Sequence, residues 1–168
     1  MFKRTKKPGT EKDAHRSYPD RFCDLYISRK NNQILFVPYG KMDIGAYAEI
    51  DDIIIDTWPC DFGKLQANIE ATLGKFAPAA SFVKGKWPSY EASKATSQRA
   101  YESDYIRLRL QTDQSGSYGD GEVERITVTA RPTALDTTYS LVGTGHLLDT
   151  KIAQIVVDIA DACYKIRQ

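Results

Sequence analysis

The chain has 168 residues, of which 42% are hydrophobic and 27% are charged. This length and composition suit one globular domain that buries roughly two thirds of its unfolded surface. The 23 lysines and arginines nearly balance the 22 aspartates and glutamates, which argues against the overall positive field of a general nucleic-acid-binding protein. Any electrostatic recognition must therefore come from local patches.

The N-terminal segment, residues 1–19, is rich in lysine and arginine and poor in apolar residues, so it predicts a flexible basic tail. It lacks the apolar core of a signal peptide, and no run in the chain has the roughly 18 apolar residues that cross a bilayer. We therefore expect a cytoplasmic protein without a membrane partner. The three cysteines, Cys23, Cys60 and Cys163, are far apart and form no C-x-x-C pair, which predicts reduced packing thiols.

The first predicted elements are strands and one helix. The segments "FCDLYIS" and "QILFVPY" are β-rich and are separated by Asn31 and Asn32, which suit a tight hairpin turn. In "EIDDIIIDTWPCD", residues 49–61, the consecutive isoleucines predict an interior strand over 52–56 with carboxylates at its rims. Asp61 then predicts the N-cap of a helix whose apolar residues recur every three or four positions.

The second half of the chain continues with one exposed helix, three strands and a final amphipathic helix. A helix that starts at Ser89 has little apolar surface, so it should lie mostly exposed. "YIRLRLQT", 105–112, alternates strictly and predicts one core face and one wet face. "EVERITVTA" and "TTYSLVGTG" predict two further strands, and the last helix should start at Asp149. Helices that cluster between groups of strands predict a single α+β domain over residues 20–168, in which about three helices cover a mostly antiparallel sheet of about six strands.

Catalytic and metal-binding readings find little support in the residue pattern. His146, in "GTGH", is the one histidine outside the basic tail, and a single histidine without a positioned partner is weak evidence for catalysis. Asp51, Asp52 and Asp56 are oxygen ligands of the kind that Mg²⁺ takes, but neighbouring strand residues point to opposite faces. We therefore predict neither a metal nor another cofactor.

The same acidic stretch favours a surface that binds a basic protein. It carries carboxylates without any lysine or arginine between them, next to aromatic residues, and this composition suits electrostatic steering with aromatic anchors. The alternatives are a solvated strand rim and a catalytic acid cluster. The predicted partner-binding residues are Tyr47, Asp51, Asp52, Asp56, Trp58 and Asp61.

At "YPDRFCDLYISR" and "SYEASKATSQRAYESDYIRLRL" the chain resembles the immunity proteins of bacterial contact-dependent growth inhibition systems. That family has an aromatic-Cys-Asp-aliphatic opening strand, an acidic-flanked aliphatic strand, a leucine-patterned helix and a Ser-x-x-Ala-aromatic segment. The matching residues are Phe22, Cys23, Asp24 and Leu25, then Ile53 to Ile55, then Leu65, Ile69 and Leu73, and finally Ser97, Arg99, Ala100 and Tyr101.

The resemblance implies a non-enzymatic inhibitor that forms a 1:1 complex with a cognate toxin domain, commonly an RNase or DNase. The acidic face would occlude the toxin's basic cleft, and the inhibitor itself would make no direct contact with nucleic acid. Two other functions stay open from the residues: a metal-assisted phosphodiesterase that uses the same acids with His146, and a nucleic-acid-binding module that uses the basic tail.

Overall fold

A seven-stranded antiparallel sheet forms the centre of the protein. This computed structural model describes residues 21–77, 85–113, 117–118, 121–122, 125–131, 140–146 and 151–167. The predicted basic tail and the predicted helix start at Asp149 lie outside these residues.

The strands of the sheet are β1 Phe22–Ser28, β2 Gln33–Lys41, β3 Tyr47–Glu49, β4 Ile54–Asp56, β5 Ile106–Asp113, β8 Arg125–Arg131 and β9 Leu141–His146. They run in the spatial order β3-β2-β1-β5-β8-β9, and β4 pairs with β2 on the same side as β3. A separate small hairpin pairs β6 Ser117–Tyr118 with β7 Gly121–Glu122. The predicted α+β class and the antiparallel sheet are confirmed.

The first face of the sheet is apolar and packs against two helices, α1 Phe62–Gly74 and α4 Lys151–Ile166. Both helices present their predicted apolar stripe to the core because those residues recur at the helical period. The predicted inward residues of the central strands are fully buried or nearly so. They are Ile106, Leu108 and Leu110 on β5 and Ile126, Val128 and Ala130 on β8. Cys23 and Cys163 belong to this core, and all three cysteines are free thiols.

The second face carries an aromatic core of its own over β1 and β2, which the alternation of β5 alone did not predict. Every residue of β1 is buried, and since neighbouring residues point to opposite faces, both faces must be covered there. Tyr101 and Tyr105 lie in this core with 2% and 3% exposure. The prediction that Tyr105 faces water is therefore wrong. The predicted second helix lies mostly exposed, as expected, but it buries Ser89 and Tyr101.

That second helix is in fact two short helices, α2 Pro88–Ala92 and α3 Gln98–Asp104. The helix breaks at Ser93, which is extended, and restarts at Ser97, whose Oγ accepts the Ala100 N–H at 3.1 Å. Serine side chains favour such caps over helix interiors, because they compete for backbone hydrogen bonds. The break lets α3 turn Tyr101 towards the sheet.

The predicted hairpin and the first helix cap are confirmed. Asn32 adopts the positive φ of 46° in the turn between β1 and β2, a conformation that asparagine tolerates better than most residues. The Asp61 side chain accepts the Gly63 and Lys64 N–H groups at 2.8 and 3.2 Å and so caps α1.

Candidate functional site

Four exposed apolar side chains lie along the sheet edge that β3 and β4 form. Ile44 is 83% exposed, Tyr47 42%, Ile55 54% and Phe62 47%. They lie in the loop before β3, in the two edge strands and at the start of α1. Ile55 is in register with Leu35 and so lies on the second face, whereas Phe62 starts α1, the helix that covers the first face, so these side chains flank the edge. Within the described residues β3 and β4 pair only with β2, so they form an edge of the described sheet, and Ile55 on β4 is 54% exposed. The prediction of an interior strand over 52–56 is therefore wrong. We call residues 44–62 the edge surface.

The backbone leaves the sheet between β3 and β4, and this irregular segment projects two carboxylates into solvent. The side chains of Asp51 and Asp52 are 61% and 70% exposed. Asp51 pairs with Lys86, just before α2, and Asp52 pairs with Lys75, just after α1, at 2.9 Å. Neither residue is in a strand, so the strand alternation from which the sequence predicted their divergence does not apply, and instead each carboxylate pairs with a different lysine. They are not uncompensated, however, because each has a lysine that is distant in the sequence.

Asp56, which the sequence predicts as a partner-binding residue, has a local structural role. Its carboxylate is 8% exposed and accepts hydrogen bonds from Lys64 Nζ at 2.8 Å, the Thr57 N–H at 2.8 Å and Asn68 Nδ2 at 3.2 Å. Desolvation raises the pKa of Asp56, but these hydrogen bonds outweigh it and hold the pKa below its ordinary value. Asp56 thus fastens β4 to α1, as Asp61 caps that helix.

Trp58 cannot serve as the aromatic anchor that the sequence predicts. It is only 4% exposed and belongs to the apolar core beneath α1 and α4. Burial of a large aromatic side chain is more favourable in free energy than its exposure on a loop, so Trp58 packs into the core behind the edge surface. Tyr47, the other predicted aromatic, stays partly exposed beside Phe22, with ring centroids 4.9 Å apart.

The arrangement proposed for a phosphodiesterase does not form. His146 ends β9 at one edge of the sheet, whereas Asp51, Asp52 and Asp56 lie at the other, beyond β2. No group of three or more histidine, cysteine, aspartate or glutamate residues could hold a metal ion within the described part of the chain.

The sequence analysis did not predict the buried carboxylate in the middle of the second face. Asp24 on β1 is fully buried and accepts hydrogen bonds from Arg107 Nε at 2.7 Å, Arg109 Nε at 2.9 Å and Tyr39 Oη at 2.8 Å. The signal was present in "FCDLYIS", because a charged residue inside a buried strand requires a partner. The arginines that alternate along β5 are that partner.

Cation–π contacts and the protonated Tyr39 hydroxyl hold this cluster in place. Arg109 lies over the Phe22 ring at 4.6 Å, and Arg107 lies 5.9 Å from the Tyr26 ring. Burial raises the pKa of the Tyr39 hydroxyl well above its ordinary value, and the charge of Asp24 raises it further. Tyr39 therefore stays protonated and remains a hydrogen-bond donor to Asp24.

Beyond this cluster, the second face of β5, β8 and β9 is polar and basic. Strand alternation places Arg107, Arg109 and Gln111 of β5 beside alternate residues of β8, which begin and end with an arginine. Arg125 and Arg131 are exposed, as are Thr144 and His146 on β9. We call this surface the basic face.

Comparison with known proteins supports the fold. Neither protein-family models nor curated proteins match this sequence. The chain is similar in structure to a protein of unknown function from Neisseria meningitidis, with a TM-score of 0.57 and 8% identity, covering 86% of this chain and 96% of that chain. At such low identity the similarity shows the α+β fold alone. In the part of the chain that the structure describes, no helix is long and apolar enough to cross a membrane.

Proposed function

We propose that this protein is an immunity protein that acts in the cytoplasm. It binds and neutralises the toxic C-terminal nuclease domain of a cognate contact-dependent growth inhibition effector, in a 1:1 complex. The sequence resemblance supports this function. The observation that carries the binding role is the edge surface, where exposed apolar side chains stand among exposed carboxylates.

The edge surface has the composition of a protein interface. Of the six large apolar side chains exposed in the described residues, Ile44, Tyr47, Ile55 and Phe62 lie there. Interfaces combine such an apolar centre with a polar rim, and the apolar centre supplies most of the affinity. In this protein Asp51 and Asp52 supply the rim, and their lysine partners reduce the net negative charge of the surface.

This geometry changes which residues we expect to contact the toxin. Ile55 and Phe62 replace Trp58 as anchors, because they are exposed and Trp58 is buried. Asp51 and Asp52 stay in the set, since their exposed carboxylates can exchange Lys86 and Lys75 for basic residues of a partner. Asp56 and Asp61 are bound to α1 and support the surface instead.

The test uses the nuclease domain encoded beside this gene and measures both binding by calorimetry and rescue of toxin-inhibited growth. We expect a nanomolar 1:1 complex with the wild-type protein. Ile55→Asp and Phe62→Asp should each weaken it by at least about tenfold, because a buried charge at an interface centre costs several kcal/mol.

Val142→Asp is the matched control. Val142 is 59% exposed and lies on β9, at the opposite side of the sheet, so the same chemical change should leave toxin binding within about twofold of wild type. Equal losses for the edge and control variants would show that another surface binds the toxin. A toxin domain that does not bind at all, with no rescue, would sink the immunity proposal itself.

A further inference from the structure

The basic face places arginines directly against one another. Arg107 on β5 pairs in register with Arg131 on β8, and Arg109 lies two residues further along β5 on the same face. Cross-strand neighbours have Cβ atoms about 5 Å apart, and like charges at that distance destabilise a sheet. Asp24 pairs with Arg107 and Arg109, and a second carboxylate, Glu49, shares the Tyr39 hydroxyl with Asp24. The three arginines therefore outnumber the two carboxylates, and the cluster keeps a net positive charge.

The guanidinium groups are held in place by Asp24 on partly exposed side chains. Asp24 engages Nε and Nη2 of both Arg107 and Arg109, while Nη1 of each has no hydrogen-bond partner among the described residues. Their side chains are 50% and 41% exposed. Donors fixed in this way lose little conformational entropy when they bind an oxyanion, so the site is prepared for one.

Further hydrogen-bond donors extend the cluster along β8. Thr129, Thr127 and Arg125 follow Arg131 on the same face, and the strand rise places the two terminal arginines about 20 Å apart. Arg125 and Arg131 are both exposed. Asp113, in register with Arg125, is the one acidic residue of β5, β8 and β9. This line of donors along β8 suits a ligand that carries several negative groups along its length.

We propose that the basic face binds the phosphate backbone of single-stranded nucleic acid. Arginine and threonine side chains are the usual donors to phosphate oxygens. An acidic protein fits less well, because protein interfaces have an apolar centre and, among the described residues, Val142 is the one large apolar side chain exposed on this face. A flat surface three strands wide is broader than the major groove of a duplex, which admits a helix or a two-stranded ribbon.

This inference departs from the expectation that the protein makes no direct contact with nucleic acid. It needs neither the toxin nor the basic tail. Without exposed aromatic rings on β5, β8 or β9 among the described residues, bases have no platform for stacking, so binding should depend on phosphate and not on sequence.

The experiment measures fluorescence anisotropy of labelled oligo(dT) and oligo(U) of about 16 nucleotides with the full-length protein at salt concentrations from about 50 to 200 mM. Arg125→Gln and Arg131→Gln should each weaken binding at least about threefold and lower the slope of log affinity against log salt by about 0.7, the value for one lost phosphate contact on a single strand. Both positions are exposed on a strand, and circular dichroism verifies that each variant is folded.

Arg99→Gln is the matched control, since Arg99 is exposed on α3 and the substitution removes the same charge. It should leave the affinity within about twofold of wild type and the salt slope unchanged. No binding by wild type at about 50 mM salt would overturn the inference. So would an Arg99→Gln loss as large as that of Arg131→Gln, or equal affinity for polyglutamate of matched charge.

The two surfaces can be separated by exchanging their variants. Ile55→Asp should retain oligonucleotide binding, whereas Val142→Asp, which adds a negative charge to the basic face, should weaken it. In the toxin assay Ile55→Asp should weaken binding and Val142→Asp should not. Failure of one proposal can therefore be distinguished from failure of the other.

Discussion

Two acidic regions of this protein differ in what their carboxylates do. Asp24 lies in the middle of the sheet, fully buried, beneath Arg107 and Arg109. Asp51 and Asp52 lie at the sheet edge, each more than 60% exposed and each opposite one lysine. The sequence draws attention to the second region because its acids are clustered. Burial and two arginines tie the isolated acid to the sheet, whereas the clustered acids stay at the surface.

The largest expected effect is at Asp24. Asp24→Asn keeps the shape of the side chain but leaves two arginines without their carboxylate. We expect a loss of about 2 to 3 kcal/mol in the free energy of unfolding, less than the 3 to 5 typical of fully buried pairs because the guanidinium groups remain about half exposed. Urea unfolding at neutral pH measures it. A loss below about 1 kcal/mol would mean that the cluster is not structural.

An intermediate effect is expected at Asp56, which is nearly buried but touches an exposed lysine. Asp56→Asn should cost about 1 kcal/mol at neutral pH through weakened hydrogen bonds to Thr57 and Asn68. The folded-state pKa of Asp56 is lowered, so its carboxylate stabilises the fold above the unfolded pKa of about 3.9 and loses that contribution as the pH falls further. The difference between wild type and variant should therefore shrink below about pH 4.

Urea unfolding of wild type and Asp56→Asn across this pH range tests the direction in which the stability difference changes. A difference that grows on acidification would contradict the lowered pKa. Asn68→Ala provides a related check, since it removes a neutral donor to the same carboxylate and its pH dependence should follow wild type closely.

The smallest effect on stability is expected at the edge surface. The double variant Asp51→Asn, Asp52→Asn should unfold at the same urea concentration as wild type, because exposed ion pairs contribute little. It should instead slow association with the toxin domain, most clearly at low salt, since exposed charges act through steering. Stopped-flow association at two salt concentrations measures this change. An unchanged rate at low salt would remove these two residues from the binding surface.

Much of the fold could be predicted because it depends on local patterns. The alternation in "YIRLRLQT" identifies β5, the helical spacing of Leu65, Ile69 and Leu73 identifies α1, and Asp61 identifies where that helix begins. Each signal lies within one element and follows from the period of the backbone. The hairpin before them is equally local, since Asn32 suits the turn conformation.

The candidate sites could be predicted only in part. Strand alternation does not apply to Asp51 and Asp52, which lie in the irregular segment between β3 and β4, and Lys75 and Lys86 reach them from positions 23 and 35 residues away. The consecutive isoleucines indicated a strand but not its place at an edge, because period alone does not say what lies on its far side. Of the three consecutive isoleucines, Ile55 is the one left exposed.

The sequence by itself determined the long strands and the two helices that pack on the apolar face, and hence the α+β class. Only the tertiary structure decided that Trp58 is buried, that Asp24 meets arginines 83 and 85 residues away, and that the arginines of β5 and β8 share one face. The physical reason is that burial and ion pairing depend on which strands become neighbours. Local periodicity fixes the faces of each strand, but long-range pairing fixes what those faces meet.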